Sequence, residues 1–430
     1  MDKFDITNMV LEALKKAGAD RASATVSLGT TEELNAEDGE LTLLRTITDK
    51  VNITMKVFVG NKIGTISIGS KKPSDIEKAA AQCVESAKYA KDDEAHGMNE
   101  SGEIITFDSH ATPLDMERLI SRLNELLQAI SAGYPDINSR SITLKHISGY
   151  EIYQNTYGTA FLNPVGYHNF NTMFMASKDN KVSSFNGASF AFSTPDLPFI
   201  EMGALDEKFD MSIKQVDAKP FGKKAIGTVI IAPQCLSVML SHTLRAFLND
   251  SSLISGSSRW RNALGTQVAD KNFTLTAAPV DNRLVTGARF TDEGFATENQ
   301  SIIENGFLNS LLANLYVSNK TGLPRALNSG GSLVLEKGEK TLDEIISTVE
   351  DGILMYRFSG GNPQASGDFS GIAKNSFIIK NGKITGAAKE TTISGNLADM
   401  FMNIRAISSE TVCDGSSIMP YAAFDGITIR

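Results

Sequence analysis

The sequence is poor in cysteine and tryptophan, with 3 and 1 among 430 residues. Cys83, Cys235 and Cys413 are far apart, odd in number and in no C-x-x-C pair, which excludes a disulfide framework and a zinc ribbon and fits a reducing compartment. No stretch approaches the roughly 18 apolar residues of a membrane-spanning helix, and the opening "MDKFDITNMVLEALKKAG" lacks a basic stretch followed by an apolar run. A cytoplasmic, membrane-free protein is expected. Positive charge is also in deficit: 41 basic residues against 50 acidic give a net −9, which argues against a protein that neutralises nucleic-acid phosphates. One basic pair, Arg259 and Arg261 around Trp260, reads as a surface or interface turn, or as an anion contact.

What is present is ordinary globular composition, 41 % hydrophobic and 21 % charged, in a chain longer than the about 100–200 residues of one domain. Apolar residues near helical spacing predict a helix over 5–17 that ends at Gly18. From Ala22 to Ile68 the period changes to two, with "EDGE" and "GNK" as hairpin turns. Further helices are predicted from Pro73 to about Tyr89 and across "DMERLISRLNELLQAISAG", and the loop between them carries His96 as a solvated residue. Residues 139–194 return to strand alternation, and their many aromatics, Tyr150, Tyr153, Tyr167, Phe170 and Phe174 among them, read as core or as a binding wall. A Pro/Gly/Lys segment near residue 220 marks the boundary between two expected domains, 1–220 and 221–430. The predicted class is α+β: an N-terminal α/β domain with a largely antiparallel sheet, then a C-terminal β-rich, barrel-like domain.

Motifs of hydrolysis and phosphate binding are missing: there is no G-x-S-x-G, no G-x-x-x-x-G-K-[ST] and no G-x-G-x-x-G after a strand. One helix-like stretch, "LSVMLSHTLRAFLNDSS", places His242 where a zinc peptidase would carry ligands and a base. Such a site needs two or three ligands, an open position for water and a carboxylate to take the water's proton. Around His242 the next residue is Thr243, i+4 is Ala246 and i+5 is Phe247, none of which is a ligand or a base.

Three segments, "GNPQASGDFSGIAKNSFIIKNGKI", "TISGNLADMFMNI" and "TVCDGSSIMPYAAFDGITIR", together with the helix at His242, resemble the TldD/PmbA family, also known as modulators of DNA gyrase and as U62 peptidases. In that family the TldD type of subunit carries H-E-x-x-x-H and a cysteine near the C-terminus. The match places His242 on the first histidine, Thr243 on the glutamate, Phe247 on the second histidine and Cys413 on the cysteine. The resemblance therefore implies the TldE/PmbA type: a subunit without catalytic residues or a cofactor of its own, whose His242 and Cys413 are vestigial metal positions. It also implies a TldD-type partner that holds the zinc, and an unstructured or leader-bearing peptide as substrate; pairing with itself in isolation is left open.

Two other readings compete. One is an autonomous metal-dependent peptidase using His242 and Cys413 with Asp250 or Asp414 as base; the other is a regulatory protein acting on DNA gyrase. For substrate, the glycine-rich "GGNPQASGDFSG" reads as a loop whose backbone can approach an extended peptide. Asn362, Asp368 and Phe369 are its candidate contacts by resemblance, with a local turn capped by Asp368 as the alternative.

Overall fold

The computed structural model describes residues 3–222, 224–361, 363 and 365–430. Helix α1 (Asp5–Ala17) follows the predicted spacing: Val10 and Leu14 are buried, and Gly18 at φ 102° caps the helix in a left-handed turn that favours glycine. Strands β1 (Arg21–Glu37), β2 (Glu40–Val59) and β3 (Lys62–Ile68) are successive antiparallel hairpins. Helix α2 (Pro73–Tyr89) starts with proline in its first turn, where the missing N–H costs nothing. It lies so close to β3 that a Cβ on Gly64 would come within 2.4 Å of the Cys83 carbonyl oxygen.

The sheet is completed by β4 (Ile104–Thr106), then, after helix α3 (Met116–Gly133), by β5 (Ile137–Asn155), β6 (Ala160–Lys178), β7 (Lys181–Val182) and β8 (Asn186–Phe192). Its order is β3-β2-β1-β5-β6-β4, with β7 and β8 also paired to β6, and β4 joins in parallel. Even-numbered residues of β1, β5 and β6 build two cores along one side. Ala24, Val26 and Ile152 lie under α1 and α2, whereas Leu34, Leu144 and Phe170 lie under α3 and α4 (Leu205–Lys214). Odd-numbered Tyr153 and Phe161 turn to the opposite side and pack on Phe290 at 6.0 and 5.9 Å between ring centroids.

The second sheet opens with β9 (Ala225–Ile231), followed by α5 (Pro233–Leu248), α6 (Asp250–Ser255), β10 (Leu275–Ala277), β11 (Gln300–Glu304), β12 (Phe307–Leu308) and α7 (Leu315–Thr321). It continues through β13 (Leu333–Leu335), α8 (Leu342–Ser347), β14 (Asp351–Gly360), β15 (Asp368–Lys380), β16 (Lys383–Ala388), β17 (Thr391–Asn396), α9 (Leu397–Met402), β18 (Ile404–Cys413) and β19 (Ile418–Ile429). β9 pairs with β14 on one side and with β19 on the other, so β9, β14, β15, β17 and β19 close into a barrel. The predicted class, α+β with an antiparallel first sheet and a barrel-like second, is what the structure has. α5 buries Leu236, Met239, Leu240, Leu244 and Phe247 against barrel residues that include Val229, Ile353 and Phe424.

One local expectation is overturned and two are refined. His96 is not a solvated loop residue: it stacks on Tyr316 at 4.5 Å, in a contact that also joins Tyr316 and Lys320 to Asp93, because its loop reaches α7 of the second half. The turn around Trp260 is present with Arg259 exposed, but the Trp260 ring itself is buried and packs on Phe247. Of the aromatics in 139–194, Tyr153, Phe170 and Phe174 are core, while Tyr150 and Tyr167 border a cavity. Among the described residues no helix is long and apolar enough to cross a membrane.

Candidate functional site

The helix α5 ends where Asn249 leaves helical geometry (φ −71°, ψ 150°) and caps α6 by accepting from the Ser252 N–H at 2.9 Å. Just before this break, His242 is half-buried and lines a cavity of about 240 Å³ with Arg245, Ala246, Asn249, Pro363 and Ala365. The glycine-rich loop before β15 thus folds over the end of α5.

The two positions that would complete a metal site point elsewhere. Thr243 is buried and its hydroxyl donates to the Met239 carbonyl at 2.8 Å, one turn back in the helix. Phe247 is fully buried, its ring 4.8 Å from that of Trp260, and Gly367 fits so tightly that a Cβ there would lie 2.9 Å from the phenyl ring. The divergence follows from helix geometry: residues five apart on a regular α-helix differ by about 140° around the axis. Cys413 closes β18 at the surface, where its Sγ donates to the Arg283 carbonyl oxygen at 3.5 Å; packing around the sulphur raises its pKa above the usual thiol value. Cys413 is not among the described residues lining the His242 cavity, and among the described residues no three His, Cys, Asp or Glu side chains are grouped to hold a metal ion. These residues do not fit a zinc site of the H-E-x-x-x-H kind.

The suggested bases are engaged locally. Asp250 accepts from the Asn314 amide at 2.8 Å, and Asp414 accepts from the Ser416 and Ser417 N–H groups at 2.9 and 2.6 Å in its own turn. Asn362 lies outside the described residues. Asp368 is exposed at the start of β15; hydrogen bonds from Asn396 at 2.9 Å and Ser366 at 2.9 Å, with Arg259 further off, hold its carboxyl below the ordinary range. Phe369, one residue on, is buried in the barrel core with its ring 6.0 Å from Phe358.

The structure adds a feature that sequence reasoning missed. A second cavity of about 480 Å³ flanks the other side of the α5 terminus and shares Arg245 and Asn249 with the first. Its wall carries Asp250, Asp292, Glu293 and Arg325, the last stacked on the Phe295 ring at 3.8 Å. Leu312, also in the wall, holds φ 54°, a conformation costly for a bulky side chain and enriched at functional clefts. The pair Gly330–Gly331 in "NSGG" was the one sequence signal for this wall.

Residues 224–430 match the PmbA/TldA metallopeptidase C-terminal domain. The chain is 25 % identical to a metalloprotease PmbA homolog of Haemophilus influenzae, over 83 % of this chain and 80 % of that protein. It is 22 % identical to metalloprotease PmbA of Escherichia coli O157:H7, over 92 % and 89 %. Its fold superimposes on TldE from Thermococcus kodakarensis with a TM-score of 0.84 at 18 % identity, covering 98 % of this chain and 99 % of the other. It superimposes equally, at 0.84 and 22 % identity over 100 % and 99 %, on a Bacteroides thetaiotaomicron protein described as a modulator of DNA gyrase. Residues 224–430 thus carry the C-terminal domain of the PmbA/TldD metalloprotease family, and similarity to members of that family extends over most of the rest of the chain.

Proposed function

We propose that this chain is a non-catalytic subunit of the TldE/PmbA type, which binds unstructured peptide and completes the active cleft of a zinc-bearing TldD-type partner in the cytoplasm. The observation that carries the reading is the state of α5: the family's glutamate position is a buried threonine bonded to its own helix, and the second histidine position is a core phenylalanine. General-base help is typically worth about 10²–10⁴ in rate, so a water beside His242 without a neighbouring carboxylate forfeits most of what such a site supplies. The two cavities around the same helix end support peptide binding that has outlived the chemistry.

The test is reconstitution with a TldD-type chain, with the mass of the native complex, its metal content and its cleavage of an unstructured peptide read together. Expected are a mixed complex, zinc in proportion to the partner and no cleavage by this chain alone. Stoichiometric zinc and cleavage in the isolated chain would favour the autonomous peptidase. A direct complex with gyrase would favour the regulatory reading, for which neither the acidic balance nor the cavities offer support.

A further inference from the structure

A cavity of about 780 Å³ lies away from α5, between the odd-numbered side of the first sheet and a strap formed by residues 282–289 of the second half. Its volume is within the about 300–1,000 Å³ usual for ligand pockets. Gly29, Gly149 and Gly166 bring bare main chain into its wall from three neighbouring strands, β1, β5 and β6. A Cβ on Gly149 would fall 1.9 Å from the Leu28 carbonyl oxygen and one on Gly29 2.6 Å from that of Ser148, so side chains are excluded where β1 and β5 approach.

One polar group of this wall lacks a hydrogen-bond partner. Arg289, half-buried on the strap, makes no side-chain hydrogen bond or ion pair among the described residues. Asp108 acts on it through space, but that carboxylate sits 3.5 Å from His110 instead. The Arg289 guanidinium is half-desolvated and offers five unused N–H donors shaped for a carboxylate. A lone inorganic anion would satisfy the guanidinium but would leave most of the cavity empty.

We propose that this cavity binds an extended peptide segment, with a peptide carboxylate on Arg289. The proposal rests on the peptide-binding reading above and adds a second station to it, distant in sequence from α5, with a preference for a negative charge. The carboxylate has two sources, the C-terminus or an Asp or Glu side chain.

The test uses the full chain and a labelled six-residue peptide of Ala, Ser, Gly and Val in three forms: free C-terminal acid, C-terminal amide, and amide with one Glu. Fluorescence anisotropy is expected to show the acid or the Glu form binding about tenfold or more tightly than the plain amide, and which of the two identifies the source. Arg289→Gln should bring that form down to the level of the amide, and Arg289→Lys should recover part of the difference. Thr286→Trp, on the exposed strap, should block all three forms without touching the sheet. Equal binding by wild type and Arg289→Gln at unchanged melting temperature, or no binding by the isolated chain, would overturn the proposal. Assembly with the TldD-type partner is measured on the same variants: its retention in those cases leaves the subunit reading standing, and its loss in the wild type overturns that reading separately.

Discussion

At the scale of single residues, sequence and structure agree most where a residue type is chemically decisive. Thr243 and Phe247 can neither ligate zinc nor take a proton, and that was readable without coordinates. Asp368 and Phe369 show the opposite case, because adjacent positions on a strand face opposite ways and only the pairing register says which is inside. The expected outcomes therefore differ sharply. Phe369→Ala empties part of the barrel core and should cost about 3–5 kcal/mol, whereas Asp368→Ala removes exposed hydrogen bonds and should cost about 1 kcal/mol or less. Chemical denaturation of both variants checks this, and peptide affinity can be interpreted only for the second. Thr243→Glu with Phe247→His should bind no zinc while α5 keeps its regular course, since His242 and the new histidine would stand about 140° apart and that histidine would replace a buried ring. Metal analysis of the purified double variant decides it.

At the scale of elements, helices and hairpins were legible because period and punctuation coincide, as at Gly18 and Pro73. What lay hidden was pairing between distant strands. His146 on β5 and His168 on β6 were unremarkable in sequence, yet register makes them neighbours, buried, with Nδ1 atoms 3.2 Å apart and the Phe192 ring against His168. One Nδ1–H must donate to the other ring's bare Nδ1, so the pair is neutral in opposite tautomers. Burial, then the neighbouring ring, pushes His168 down to about 4, against the opposing pull of Asp115; burial also lowers His146, against Glu32. A base whose folded pKa is depressed binds fewer protons folded than unfolded, so its contribution is complete above the unfolded value near 6.5 and is lost as pH falls from there toward 4. The loss should approach about 3 kcal/mol at about 1.36 kcal/mol per pKa unit. Unfolding free energies from urea titrations at pH 7 and pH 4.5 should differ by about 2–3 kcal/mol through this pair in the wild type, and a His146→Leu, His168→Leu double variant should flatten the acid limb.

At the scale of the whole molecule, the relatives extend over nearly the entire chain at identities near 22–25 %, so the scaffold is kept by pattern and not by particular side chains. The contact between the halves was the least legible part, because much of it depends on single polar residues, Asp93 against α7 and two residues of α4 against the second half among them. Glu207 accepts from the hydroxyls of Tyr356 at 2.5 Å and Tyr421 at 2.6 Å, both on barrel strands, and Lys208 donates to Gln234 at the start of α5 at 2.5 Å. Burial and the nearby carboxylate raise both tyrosines, which keeps them as donors throughout the accessible pH range. Hydrogen bonds to a charged group are each worth about 1.5–3 kcal/mol, and two phenols left without an acceptor add their own desolvation cost. Glu207→Ala should therefore destabilise by about 3 kcal/mol or more, and the cost should fall on the junction, not on either core. Calorimetry is expected to show one transition in the wild type and two in the variant, the halves unfolding separately once their clasp is gone. A Tyr356→Phe, Tyr421→Phe variant with Glu207 intact leaves a carboxylate partly buried without its donors and should separate the halves as well. If both variants merely shift a single transition, the halves are held by their apolar contacts, such as Phe290 on Tyr153 and Phe161, and the polar clasp sets orientation alone.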